Sequence, residues 1–283
     1  MQVEPTKTGV RILNAPPIDL AQTFDCGQCF RFEPCGEDGY RGIAGRHAAQ
    51  IRWDGETLCI DGSLEKPVTR EQFESFWRRY LDLDRDYAAI YRSLVRRMGS
   101  PMRRCVRYSP GLRVLRQDPF EALISFILSQ NNNVPRIRGI IRRLCQFGEP
   151  LGGGDFAFPT PERILSLTSG EMAELRCGWR DAYIRDAARR VADGRLDLKR
   201  VALLPLPEAR QALQTVRGIG PKVADCVLLY GLGRLEAFPL DVWMKRAMVS
   251  LFPDKTPADF GRYAGIAQQV IFHYCRSHPH EVR

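Results

Sequence analysis

Apolar and polar positions change their period once along the chain. Up to about residue 66 the apolar runs are short and partly alternating, Tyr40 to Trp53 and Thr57 to Ile60, with Gly and Asp at their ends. That pattern predicts strands of a small antiparallel sheet. From Thr69 the period becomes helical. Thr69-Arg-Glu-Gln72 reads as a capping box, followed by a buried stripe of Phe73, Phe76, Trp77, Tyr80 and Leu81. Tyr87, Ile90, Tyr91 and Leu94 form a second stripe, and Arg96, Arg97, Arg103, Arg104 and Arg107 follow it. These arginines suit either a solvated face or phosphate contacts.

Asp118-Pro119 opens a strongly apolar helix, Phe120 to Leu128, and Pro135 starts the next, with Ile137, Ile140, Ile141 and Leu144 apolar. Residues 148 to 160 are Gly-rich and read as a surface loop; no Lys-Ser or Lys-Thr follows, so a phosphate loop is rejected. Thr160-Pro161 begins a short helix, Thr168 and Glu171 make a second capping box, and a helix from Asp181 to Ala192 is closed by Gly194. The last helix is expected to start at Thr256-Pro257, with Phe260, Tyr263, Ala267, Val270, Ile271 and Tyr274 as its buried stripe. The class is therefore α+β. A small antiparallel sheet lobe (residues 1–116, the sheet within about 1–66) is expected to pack on an all-helical lobe (residues 117–283). A chain of 283 residues can bury a core that large.

The helical pattern is interrupted most sharply between about 207 and 231. A helical stretch with Ala209, Ala212 and Leu213 apolar is broken by Gly218 and Gly220. Pro221 then opens a helix through Val223, Val227, Leu228 and Tyr230 that stops at Gly231 or Gly233. A Gly-Ile-Gly hairpin brings backbone N–H groups to a point without side chains, where a phosphate can be held without reading sequence. Lys222 falls in the first turn of the second helix, where the positive end of the dipole favours an uncharged amine, a nucleophile suited to imine chemistry. The plain alternative is a solvated lysine. Pro239-Leu-Asp241-Val reads as an extended approach to another helix with Asp241 as N-cap, so an amine and a carboxylate follow the same hairpin.

Other candidates are weaker alone. Gly27, in Phe24-Asp-Cys-Gly-Gln-Cys-Phe-Arg-Phe32, lies between strand-like halves and reads as a bulge or a close backbone approach. Asn131, Asn132 and Asn133 at a helix junction suit a capping turn. Gln268 and Phe272 are four apart on one helix, and spacing alone makes them surface and core.

Gly218-Ile-Gly-Pro-Lys-Val-Ala-Asp225 with Pro239-Leu-Asp241-Val resembles the helix-hairpin-helix, Gly/Pro…Asp superfamily of DNA glycosylases. Lys222-Val-Ala-Asp-Cys226 is similar, more narrowly, to its 8-oxoguanine branch, and the likeness runs through nearly the whole chain. The resemblance implies a bifunctional repair enzyme. It would flip out 8-oxoguanine opposite cytosine, excise it through a Schiff base on Lys222 with Asp241 assisting, and cleave the strand by β-elimination. It also implies that the Gly27 carbonyl, Cys226, Gln268 and Phe272 form the base slot, that Asn131 fills the gap in the duplex, and that Arg136 reads the orphaned cytosine. The resemblance also implies a tyrosine–arginine pair that wedges into the stack and reads the opposite base; here Trp179-Arg180 stands in its place and is expected to keep that role. Many relatives have a histidine two residues after the aspartate, where this chain has Trp243. The carbonyls of Gln214, Val216 and Ile219 are implied as holders of a monovalent cation at the hairpin.

Composition sharpens this reading. A formal net charge of +9 and a pI of about 9.2 favour a polyanionic partner, here double-stranded DNA. No run of eighteen apolar residues suggests a membrane span, and the N-terminus lacks an apolar signal core. The nine cysteines are expected to be reduced in a bacterial-type cytoplasm. Cys26-x-x-Cys29 invites zinc, but no second close pair follows. Only Cys275 lies beyond Asp241, which argues against the four-cysteine iron–sulfur cluster of other branches. The chain is expected to act as a monomer without a required cofactor. Two rivals stand beside the main reading: a monofunctional alkylated-base glycosylase, which usually lacks a lysine at position 222, and a hairpin DNA-binding module without chemistry.

Overall fold

The computed structural model describes residues 1–282. Strands β1 (Gln2–Pro5), β2 (Gly9–Leu13), β3 (Phe32–Pro34), β4 (Gly39–Ala44), β5 (His47–Trp53) and β6 (Thr57–Asp61) form one antiparallel sheet of order β1-β2-β6-β5-β4-β3. Val10, Ile12, Ile51, Leu58 and Ile60 are fully buried on one face. They are covered by a helical stretch made of α2 (Arg70–Gln72), a π-turn (Phe73–Trp77) and α3 (Arg78–Tyr80), whose Phe73 and Trp77 are also fully buried. The Thr69–Gln72 capping box is present in both directions. A short helix α1 (Leu20–Phe24), capped by Asp19, interrupts the sheet's connection and stacks Phe24 on Phe32 at 4.2 Å.

The remaining helices surround a second core. They are α4 (Tyr87–Tyr108), α5 (Pro119–Leu128), α6 (Val134–Cys145), α7 (Pro161–Ser166), α8 (Ser169–Glu174), α9 (Arg180–Ala192), α10 (Leu198–Val201), α11 (Leu206–Gln214), α12 (Pro221–Cys226), α13 (Val242–Leu251) and α14 (Ala264–Ser277). Helix α5 runs through the middle with every residue from Phe120 to Leu128 buried, its first amides capped by the Asp118 carboxylate. Helix α4 turns sharply at Gly99 (φ 74°) and packs on α14, within the helical core. The sheet's core draws on residues from Val10 to Leu83 and on Leu115.

Two expectations are corrected. The Gly-rich segment 148–160 is no free loop: β7 (Pro150–Gly152) and β8 (Asp155–Phe156) pair as a hairpin, with Gly152, Gly153 and Gly154 all at positive φ. It is pinned to the sheet lobe by Lys66 donating to the Leu151 carbonyl and by the Arg41–Asp155 and Arg46–Glu149 pairs. Arg31, which donates to the Phe156 carbonyl, also pairs with Glu121 of α5 at 3.2 Å, both side chains nearly buried, so one guanidinium joins both lobes and the hairpin. Burial pushes the Glu121 carboxyl up, and the charge of Arg31 opposes that rise. The last helix does not begin at Thr256. Residues Pro257–Tyr263 are a 3₁₀ segment broken at Gly261 (φ 69°), where the Arg97 guanidinium approaches, and α14 starts after it.

Candidate functional site

Helices α11 and α12 meet at the Gly218–Gly220 hairpin. Gly218 is at φ 82°, and a Cβ there would lie 2.2 Å from the Tyr183 ring, so only glycine lets α9 pack this close. Gly220 caps α12, Pro221 takes the first helical position, and open space surrounds Gly220. Among the described residues the amides of Gly218 and Gly220 donate no hydrogen bond. The Val216 carbonyl accepts the Ile219 amide at 3.1 Å, whereas the carbonyls of Gln214 and Ile219 accept none among the described residues. Helix α12 continues through a π-turn, Val227–Gly231, packed against α5.

A cleft of about 750 Å³ opens beside the hairpin, and Gly27, Asn131, Lys222, Asp241, Trp243 and Phe272 all line it. Five separate stretches of chain thus meet at one hollow. The Lys222 Nζ stands 5.7 Å from the centre of the Phe126 ring. Asp241 caps α13, its carboxylate accepting the Met244 amide at 2.8 Å. Burial pushes the Asp241 carboxyl above the usual aspartate range; the Met244 amide and the Lys222 charge pull the other way. Trp243 stands in the same wall, with the Arg246 guanidinium 5.9 Å from its ring centre.

Cys226 and Gln268 lie deeper than expected. They are 2% and 3% exposed and do not reach the cleft surface. Burial raises the Cys226 thiol to about 11, opposed by Lys222 one turn earlier. Gln268 accepts from the Tyr230 hydroxyl at 3.3 Å. The expected slot is therefore closed over: Gly27, Lys222, Asp241 and Phe272 share a surface, while Cys226 and Gln268 sit beneath it. A Cβ on Gly27 would touch Phe272 at 3.9 Å, so glycine and ring already face one another.

Gly27 is also not a strand bulge. It lies at φ 78° in the connection between α1 and β3, shaped from inside by Gln28. The Gln28 side chain, fully buried, donates to the carbonyls of Thr23 and Arg113 and accepts the Leu115 amide. Such a polar residue in an extended, apolar-flanked run was the signal that could have marked this loop.

The three asparagines divide their roles. Asn133 caps α6 through the Arg136 amide at 3.0 Å, and Asn132 donates to the Leu128 carbonyl. Asn131 is exposed at φ 47°, and among the described residues its side chain makes no hydrogen bond. Arg136 is exposed in the first turn of α6. Arg180 is not free to read a base here. It is 3% exposed and donates to the carbonyls of Gln130, Asn131 and Cys177. Its neighbour Trp179 is 52% exposed, with the Arg180 guanidinium 4.3 Å from its ring centre. Among the described residues no group of three or more His, Cys, Asp or Glu side chains is arranged to hold a metal.

Known proteins resemble this chain in sequence and in fold. Residues 10–123 match the family described as 8-oxoguanine DNA glycosylase, N-terminal domain, and residues 124–259 match the HhH-GPD superfamily of base excision DNA repair proteins. The N-glycosylase/DNA lyase OGG1 of Arabidopsis thaliana is 30% identical over 90% of this chain and 76% of that protein. A probable N-glycosylase/DNA lyase of Methanothermobacter thermautotrophicus is 35% identical over 59% of this chain and 64% of its own length. The structure of MBOgg1 in complex with a low-affinity DNA ligand superposes with a TM-score of 0.90, at 37% identity, over 98% of this chain and 99% of the other. The Clostridium acetobutylicum 8-oxoguanine glycosylase/lyase, in complex with double-stranded DNA containing cytosine opposite 8-oxoguanine, gives a TM-score of 0.88 at 33% identity over 99% of both chains. With its sheet lobe, its glycine hairpin and Lys222 and Asp241 in one cleft, this chain belongs to the 8-oxoguanine glycosylase family of HhH-GPD base excision repair proteins.

Proposed function

We propose that the protein excises 8-oxoguanine from opposite cytosine in duplex DNA and then cleaves the strand at the emptied sugar. The reading rests on Lys222 and Asp241 opening into one cleft that Gly27 and Phe272 also line. The cationic surface and the free hairpin amides hold the phosphates in a sequence-independent, salt-sensitive way. Asn131, exposed and with no side-chain hydrogen bond among the described residues, enters the duplex where the base has left, and Arg136 offers donors to the estranged cytosine. The lesion parts Phe272 from the Gly27 loop and uncovers Cys226 and Gln268. The Gly27 carbonyl then accepts the N7 proton that guanine lacks.

The Lys222 amine attacks C1′ and the base leaves with the electrons of the glycosidic bond. The ionised Asp241 stabilises the positive charge that builds on the sugar. One proton of the attached amine passes to the departing base and the other to O4′ as the C1′–O4′ bond breaks, which opens the ring and gives an imine between Lys222 and C1′. Loss of a C2′ proton then expels the 3′ phosphate by β-elimination, and water hydrolyses the imine. Hard monovalent cations take oxygen donors, and the carbonyls of Gln214, Val216 and Ile219 are of that type. A cation there would add positive charge at the phosphate contact. The same reading has one copy of the chain acting on chromosomal DNA in a bacterial-type cytoplasm.

Product analysis on three duplexes tests it: one with 8-oxoguanine opposite cytosine, one with an alkylated purine, one undamaged. Release of 8-oxoguanine with strand cleavage supports the proposal. Release of the alkylated base alone, without cleavage, supports the monofunctional rival. Binding with no product supports a module without chemistry.

A further inference from the structure

The Gly27 carbonyl has a neighbour on each side, and each neighbour is held by a glutamine from far along the chain. Gln269 Nε2 donates to the Cys26 carbonyl at 3.0 Å, and Gln117 Nε2 donates to the Gln28 carbonyl at 2.6 Å. The Gly27 carbonyl between them accepts no hydrogen bond among the described residues. Glycine at φ 78° has wide conformational freedom, so its carbonyl would swing unless the flanking peptide planes were fixed.

Gln269 is 1% exposed, between Val270 and Ile271 on one side and Ile266 and Ala267 on the other, all fully buried. An amide in such a place is unfavourable unless both of its ends are bonded. Both are: its carbonyl oxygen accepts the Tyr230 hydroxyl, and its nitrogen reaches Cys26. Tyr230 lies on the π-turn that extends the Lys222 helix and stacks on Phe126 at 5.2 Å, the ring that Lys222 faces. A continuous set of contacts thus runs from the Gly27 loop through Gln269 and Tyr230 to the side chain next to the nucleophile.

We propose that Gln269 is a positioning residue for lesion discrimination. By holding the Cys26 carbonyl it fixes the plane of the Cys26–Gly27 peptide, and so aims the Gly27 carbonyl at the base edge. This rests on the reading that the Gly27 carbonyl accepts the lesion's N7 proton. Gln269 touches neither sugar nor base. Its role therefore concerns excision of an intact lesion and not cleavage at a sugar that has already lost its base.

That difference supplies the test. Single-turnover excision of 8-oxoguanine and strand cleavage at a preformed abasic site are measured for wild type, Gln269→Met and Gln269→Glu. Methionine keeps the length and removes the donor. Excision is expected to fall about tenfold, the size of one buried hydrogen bond, while abasic-site cleavage stays within about twofold. Glutamate donates to the Cys26 carbonyl only while protonated. Its excision rate, relative to wild type at the same pH, is expected to fall as pH rises, a profile that Gln269→Met does not show. Tyr230→Phe, which frees the Gln269 oxygen, gives a second variant should Gln269→Met fail to fold, with a loss in the same direction. Unchanged excision in Gln269→Met, equal losses in both activities, or a Gln269→Glu profile parallel to wild type would overturn the proposal. Should wild type itself leave 8-oxoguanine in place, the functional reading falls and this one with it; wild-type excision with indifferent variants sinks this one alone.

Discussion

Arg180 donates to the carbonyl of Asn131 at 3.1 Å, and the same guanidinium reaches the carbonyls of Gln130 and Cys177. It ties the start of α9 to the turn between α5 and α6. Asn131 is thereby held at φ 47°, a backbone state that is unfavourable by about 1 kcal/mol for a residue with a side chain. Burial lowers the Arg180 guanidinium from its ordinary range, and the Arg136 charge adds to that, so the carbonyls carry the compensation. Arg180→Ala is expected to lower stability by about 2 kcal/mol in thermal unfolding, through lost charge-assisted hydrogen bonds. It is also expected to weaken binding to a lesion duplex about tenfold in a titration, because Asn131 is no longer presented. Arg180→Lys recovers little of either, since an ammonium cannot replace the fork.

Asp241 combines two tasks that one substitution separates. Asparagine caps helices as well as aspartate does, so Asp241→Asn is expected to keep the Met244 bond and the fold. Its folded carboxyl titrates above the ordinary value, so the folded chain holds that proton more tightly than the unfolded chain does. The stability from this group is full at low pH and is lost as pH rises through the raised value. At neutral pH the variant should therefore be no less stable than wild type. Excision, by contrast, needs the ionised form and should drop on the order of a hundredfold. The acid limb of wild-type kcat/KM should accordingly begin above the ordinary aspartate range, a point a pH–rate profile reads directly.

Gly218 tests the hairpin independently of the chemistry. Alanine there meets both a positive φ and the Tyr183 ring at 2.2 Å. Strain of about 1 kcal/mol from the backbone alone adds to the collision, so α9 or the hairpin must move. Gly218→Ala is expected to weaken binding to undamaged duplex at every salt concentration while leaving the slope against salt nearly unchanged, because the neutral hairpin amides leave the phosphate and the cationic side chains stay. Fluorescence anisotropy across a salt series checks this.

Local rules made much of the frame readable in advance. Asp118, Thr168 with Glu171, Pro221 and Asp241 act within three or four residues, and each marks a helix start in the folded chain. What stayed hidden was set by partners far along the chain. The Gly27 loop is shaped by Gln28 reaching Arg113 and by Gln269 reaching Cys26, 243 residues away. The hairpin at 150–156 depends on Lys66 and Arg41 from the sheet lobe. Gly261 breaks the last helix where Arg97 packs. Neither spacing nor periodicity contains such pairings. The direction taken by Arg180 was hidden for the same reason: its acceptors are carbonyls on another turn.

In the mechanism proposed above, every chemical step begins with Lys222 as the nucleophile in the shared cleft. Borohydride reduction during reaction with an 8-oxoguanine:cytosine duplex tests it most directly. A covalent protein–DNA adduct that maps to Lys222 and disappears in Lys222→Gln is the expected result, while that variant still binds the duplex. An adduct that persists in Lys222→Gln, or base release by wild type with no adduct, would contradict it.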